Sequence, residues 1–153
     1  MQWASKLPDA MDGLVAVFTA APEMAGVPVR DGPSTSQATV QEILSVGYTG
    51  SEDETDAEAQ SSAEGLNPVR DREQFTIRCA AAVLQGTGSI SAARRRAYEI
   101  VGGAGAALAR DHTLGGIVLR AMIGTHSLSQ DLTDRGVQVV VVFGVDCDAY
   151  SGL

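Results

Sequence analysis

The chain has 153 residues, 44% of them hydrophobic and 20% charged, and a formal net charge of −8 at pH 7. That length and balance suit one globular domain able to bury a real core. No apolar run reaches the roughly 20 residues needed to span a bilayer, and the overall acidity argues against a free-standing nucleic-acid binder, whose affinity comes largely from neutralised phosphates.

The opening stretch MQWASKLPDAMDG holds one lysine and two early aspartates and lacks the apolar block of a secretory signal. This points to a chain made and kept in the cytoplasm. Leu7, Met11, Leu14 and Phe18 then recur at i, i+4, i+7 and i+11, one stripe of a helix. Ser5 is a suitable N-cap, and Pro8 is tolerated because it falls in the first turn. Ala21-Pro22 ends the helix, and Trp3 is expected to pack locally ahead of it.

GVPVRDG reads as a short strand closed by the turn residues Asp31, Gly32 and Pro33. TVQEILSVGYTG alternates as a second strand, with Leu44, Val46 and Tyr48 on one face and Ile43 and Ser45 on the other. The segment 51–66, SEDETDAEAQSSAEGL, carries six acids (Glu52, Asp53, Glu54, Asp56, Glu58, Glu64) and no base. It has too little apolar content for a core and is expected to be a flexible loop or hairpin tip. Residues 67–153 hold nine arginines against eight acids, so most of the net charge comes from this loop and a mildly acidic first third.

DREQFTIRCAAAVL is the clearest strand: Phe75, Ile77, Cys79, Ala81 and Val83 point one way, and Gln74, Thr76 and Arg78 the other. QGTGS breaks it. A long helix follows from about Ser91 to Asp111, with Ala93, Ala97, Ile100, Val101, Ala104 and Leu108 as its buried stripe. GGIVLRAMIGTHSLSQ reads as a fourth strand with Ile117, Leu119, Ala121 and Ile123 on one face. Asp134, Arg135 and Gly136 make a turn. VQVVVVFGVDCDAY is the fifth strand, and its middle is apolar on both faces, which suits a strand covered on both sides or lying at a subunit contact. The fold class that emerges is α+β: a single domain over 1–153, with a mixed or antiparallel sheet of about five strands packed by two helices in the order α-β-β-β-α-β-β.

Three consecutive arginines, Arg94, Arg95 and Arg96, stand out in an acidic chain. A helix turns about 100° per residue, so Arg95 points straight out while Arg94 and Arg96 flank the buried stripe. They cannot all grip one phosphate while the stripe stays buried. Near a helix start they also face an unfavourable dipole, which suggests an acidic counterpart within the subunit or on a neighbour. A solvated face whose Arg stems cover core edges, an ionic contact between subunits and a direct nucleic-acid contact are the three readings. Gly102 and Ala106 lie outward near Arg95 and Glu99, giving a smooth face that another backbone could approach, unless Gly102, Gly103 and Gly105 simply mark a break in the helix.

Catalytic signatures are missing. GGAGAALARD has neither phosphate-loop nor dinucleotide-loop order and lies within a helix. Asp146 and Asp148 sit at a strand end, where solvated carboxylates are the ordinary reading and a hard-cation site the alternative. His112 suits the C-terminal end of a helix. Cys79 and Cys147 read as buried reduced thiols, with a cross-strand disulfide as the alternative, and two isolated cysteines and two histidines show no metal-ligand spacing. No metal or cofactor is expected.

The order of elements, together with GVPVRDGP, VGYTG, REQFTIRCAAAV, ARRRAYEIV, TLGG and VVVVFGVDCDAY, resembles the tail terminator (tail completion) proteins of long-tailed bacteriophages across most of the chain. That resemblance implies a non-enzymatic virion protein: a homo-oligomer, a hexameric ring, at the head–tail junction, assembled in the host cytoplasm. The ring caps the tube made by the major tail tube protein, ends tail polymerisation and offers a surface to a head-completion or connector protein, while the genome passes through without specific binding. The residues expected to form interfaces are Arg94, Arg95, Arg96, Glu99, Gly102 and Ala106. The acidic loop residues Glu52, Asp53, Glu54, Asp56 and Glu58 are expected to face a partner or the lumen, where like charge lets DNA slide. Two other readings stand beside this one: another neck or head-closure connector, and a small oligomeric ligand-binding domain or enzyme with an anion site between subunits that uses Arg94, Arg96 and Arg120.

Overall fold

A computed structural model describes residues 4–33, 41–63, 71–86 and 88–151. Trp3 and Glu64, on which two sequence expectations fall, lie outside the described residues. The elements are helix α1 (Leu7–Ala20), a 3₁₀ turn (Pro22–Met24), strands β1 (Val29–Asp31), β2 (Glu42–Val46), β3 (Ala57–Ala63) and β4 (Asp71–Gln85), helix α2 (Ile90–Arg110), and strands β5 (Arg120–Thr133) and β6 (Gly136–Tyr150). The α+β class is as the sequence indicates, with six strands in one mixed sheet of order β1-β2-β4-β6-β5. Only β1 and β2 run parallel; the other pairings are antiparallel.

The added strand is β3. Its sequence, AEAQSSA, has no apolar alternation, yet it pairs from Ala57↔Ile77 to Ala63↔Asp71. The reason is geometric: β2 covers only the Val83-to-Cys79 half of that edge of β4, and the remaining backbone groups need partners. The acidic segment is therefore divided, with an exposed turn-rich loop over 51–56 and a strand after it.

β4 and β6 form the middle of the sheet, paired from Arg72↔Tyr150 to Gln85↔Val137. Alternation sends Phe75, Ile77, Cys79, Ala81 and Val83 of β4, and Val139, Val141, Phe143, Val145, Cys147 and Ala149 of β6, to one face, and all are buried. Both helices lie on that face. α2 contributes Ala93, Ala97, Ile100, Val101, Ala104 and Leu108, and α1 contributes Ala10, Leu14 and Phe18 to the same core. Leu7 and Met11 pack at its margin.

Four local expectations are revised. Gly47 at φ +69° turns the chain after Val46, so β2 ends there and Tyr48 is 36% exposed instead of facing the core. Leu119 is 46% exposed, because positive φ at Leu114, Gly115 and Gly116 makes 113–118 a turn-rich connection and β5 starts only at Arg120. The glycines do not break α2, which runs without interruption to Arg110; Gly103 is buried, and a Cβ there would lie 2.9 Å from Glu23 Cβ in the 3₁₀ turn. The α2 N-cap is Ser89, whose Oγ accepts the Ala92 N–H at 3.0 Å, so the helix starts a residue earlier than expected.

Glu73 of β4 is 1% exposed and fixes the start of α1 to the sheet. Its carboxylate accepts the Ser5 hydroxyl at 2.5 Å and the Lys6 backbone N–H at 2.8 Å, while Ser5 Oγ accepts the Leu7 N–H at 3.0 Å. A buried carboxylate is tolerated here because donors surround it, one of them an otherwise orphaned helix-start amide. Replacing Glu73 by Ala leaves those donors unpaired and is expected to cost about 2–3 kcal/mol in denaturant unfolding, with fast exchange of the Lys6 and Leu7 amides; Glu73→Gln is expected to lose less.

Candidate assembly surfaces

The outward face of α2 carries the arginine run, and the three side chains go to three places. Arg94 donates to Gln130 Oε1 of β5 at 2.7 Å. Arg96 reaches the other way, donating from Nε to Glu42 of β2 at 2.8 Å and from Nη1 to Glu99 at 3.2 Å. Burial works against the Arg96 charge, but the hydrogen bonds and field of Glu42 and Glu99 outweigh it and hold its pKa above the usual arginine value. Arg95 is exposed and has no side-chain partner among the described residues. Arg94 and Arg96 thus brace α2 across the sheet, and the acidic counterpart suggested by the sequence is, for Arg96, inside the subunit. Gly102 is exposed with open space above it, Ala106 is half-buried, and Glu99 is exposed beside Arg96.

A second brace was not legible in the sequence. Arg110, in the last turn of α2, holds Glu23 of the 3₁₀ turn through two parallel hydrogen bonds of 2.5 and 2.6 Å. Those bonds pull the Glu23 carboxyl from its ordinary 4.5 down to about 2 and raise the Arg110 pKa. The close approach at Gly103 brings the two segments together.

Among the described residues no helix lies on the opposite face of the sheet. Alternation places Ile43, Ala80, Ala82, Val140 and Val142 there, flanked by Ser127 and Ser129 of β5. They floor a groove of about 720 Å³ whose walls include Tyr48, Thr49 and Glu54. This answers the two-sided apolar character of the last strand: one face is core and the other faces this groove. Toward the other end of the same face the surface turns polar. Asp148 accepts from Gln74 at 3.0 Å and lies 3.5 Å from Arg72 and 3.7 Å from Arg120; Asp146 accepts from Thr76 at 2.7 Å. The two aspartates are therefore tied into the sheet. Among the described residues no group of three or more His, Cys, Asp or Glu is arranged to hold a metal ion.

The acidic loop is anchored at its base. Arg78 Nη1 donates to Thr55 O and Thr55 Oγ1, both at 2.8 Å, and sits 3.7 Å from Glu58; the Arg78 N–H donates to Asp56 O at 2.9 Å. Glu52, Asp53, Glu54 and Asp56 are exposed and have no ion-pair partner among the described residues. Glu58 differs, being held by Arg78 and by Thr55 Oγ1. Arg94 and Arg96 lie on the helix side of the sheet and Arg120 on the helix-free side, so one protomer does not bring those three arginines together as an anion site.

Cys79 and Cys147 are free and buried, with Cys79 opposite Phe143 and Cys147 opposite Phe75. Burial pushes both thiols up to about 12, with the field of Asp146 and Asp148 adding to the effect at Cys147. Among the described residues no helix is long and apolar enough to cross a membrane.

No protein-family model matches the chain, and no curated protein matches it. Among solved structures it is similar to a chain of the "Virion of native gene transfer agent (GTA) particle", with 8% sequence identity and a TM-score of 0.49, over 91% of this chain and 94% of that one.

Two measurements check the electrostatics. A carbon-detected NMR titration is expected to place the Glu23 midpoint at about 2 and return it to the ordinary range in Arg110→Ala. Because the folded pKa is depressed, the stability from this pair is present above pH 4.5 and is lost as pH falls through about 2. With both thiols held near 12, the native protein at pH 8 is expected to resist thiol-specific labelling until denaturant unfolds it, and then to take two labels.

Proposed function

We propose that this chain is a structural virion protein, a subunit of a hexameric ring that caps the tail tube, ends tail polymerisation and offers the head-joining surface. Its partners in this reading are copies of itself, the major tail tube protein and a head-completion or connector protein, at the head–tail junction of a virion assembled in the host cytoplasm. It acts by fit and carries out no chemistry. The observation that carries the reading is the sheet face on which no helix lies among the described residues, where Ile43, Ala82, Val140 and Val142 remain only partly buried in the lone protomer. An apolar sheet face without a cover is what an assembling subunit presents to a partner. The sequence resemblance supplies the particular assembly. The exposed carboxylates of the 51–56 loop suit a position along a DNA path, since they repel phosphates where cations would bind them.

In this reading Arg95, Gly102 and Ala106 form the part of α2 left open to a neighbour, while Arg94, Arg96 and Glu99 fix the helix in place. Electron micrographs of particles assembled without this chain are expected to show headless tails of uncontrolled length. Normal-length tails joined to heads would overturn the proposal, and normal-length tails without heads would assign the chain to head closure instead.

A further inference from the structure

On the sheet face opposite the helices, the apolar groove is bounded differently at its two ends. Ile43, Ala80, Ala82, Val140 and Val142 make its floor, and about 720 Å³ lies above them. At one end stands the 47–56 loop, with Glu54 in the wall; at the other stands Arg135, in the turn that joins β5 to β6. Six steps along β6, from Val142 to Gly136, separate the two ends, about 20 Å of extended strand. The side chains of Glu54 and Arg135 are exposed and have no hydrogen-bond or ion-pair partner among the described residues.

The acidic end is held in place by one residue of β4. The Arg78 carbonyl accepts the Gly47 and Tyr48 N–H groups at 2.8 and 3.1 Å, and the Arg78 N–H donates to Asp56 O at 2.9 Å. Its guanidinium donates to Thr55 O and Thr55 Oγ1, both at 2.8 Å. Both ends of the loop are thus tied to Arg78, and Thr49 within it is buried. Glu54, next to Thr55, stands on a closed loop with its ends together. An apolar floor by itself lets a segment slide, whereas opposite charges at its two ends fix register and direction.

From this we infer that the groove receives an amphipathic segment of a second, different protein. Its aliphatic side chains lie on the floor, a lysine or arginine meets Glu54, and a carboxylate meets Arg135. This chain's own helices do not match that description. Past Ile90 the exposed residues of α2 are small or charged, and those of α1 are Pro8, Asp9, Asp12 and small residues. Nucleic acid does not match it either, since Glu54 repels phosphate. The inference deepens the proposed function and rests on its reading of this face as a partner surface, but it concerns the chemistry of the partner.

Synthetic peptides of about 14 residues, long enough to cover about 20 Å as a helix, test it against the full-length chain. All share one leucine-rich amphipathic centre. One has lysine at one end and glutamate at the other, one has lysine at both ends, and one has glutamate at both. Binding is read from the methyl NMR shifts of Ile43, Val140 and Val142. The mixed peptide is expected to move those methyls and to bind about threefold more tightly than the others, the scale of one exposed ion pair. Glu54→Lys should transfer the preference to the glutamate-ended peptide and Arg135→Glu to the lysine-ended one. Ala82→Leu, which fills the floor, should weaken all three, with circular dichroism confirming that each variant folds. No shift at these methyls with any peptide, or a preference that ignores both charge reversals, would overturn the inference. So would methyl positions that change with protein concentration alone, since a second copy would then fill the groove. Tail length in particles lacking the chain is read separately, so the partner chemistry and the capping role can fail independently.

Discussion

The antiparallel pairing of β4 with β6 is the constraint on which the other features depend. Each strand is 15 residues long, and their ladder runs almost end to end. Because side chains alternate, one ladder fixes two surfaces at once. The odd-numbered positions of both strands are the floor on which α1 and α2 pack. The even-numbered positions form a second surface that no helix covers among the described residues. Core, groove and edges all follow from this ladder and its register.

Charges in this protein mostly hold elements in place. Arg96 ties α2 to β2, Arg94 ties it to β5, Arg110 ties it to the 3₁₀ turn, and Glu73 ties the start of α1 to β4. Exposed pairs of this kind contribute little stability singly. Their effect is to fix the angle at which a helix lies on the sheet, and therefore the direction in which the outer surface of α2 faces. The buried Glu73 is the exception, since removing it takes away the partner of the Ser5 hydroxyl and the Lys6 N–H at once. The charges left over, Arg95 on the helix side and the carboxylates of the 51–56 loop, stand at the surface without internal work.

That division bears on assembly. A monomer with its sheet covered on one face and its longest edge strand bare has satisfied only part of its backbone and apolar surface. A subunit of a ring can leave both for its neighbours, because assembly then supplies what folding did not. The two kinds of unsatisfied surface differ in specificity. Strand edges impose direction and register through hydrogen bonds, whereas an apolar face tolerates sliding.

Much of the fold was legible in the sequence because it is written in local periodicity. The inward set of β4 and the buried stripe of α2 follow from alternation and from 100° steps, and both appear as read. The outward direction of Arg95 and the flanking positions of Arg94 and Arg96 came from the same geometry. What only the tertiary structure decided depends on residues far apart in the chain. β3 became a strand because β4 had backbone groups to pair, not because AEAQSSA favours extended structure. Glu42 meets Arg96 across 54 positions, and Glu73 meets Ser5 across 68. No spacing rule encodes such encounters. They arise when the sheet brings distant segments to one place, and the same is true of the edge strands β1, β3 and β5, which are edges only once the strand order is known.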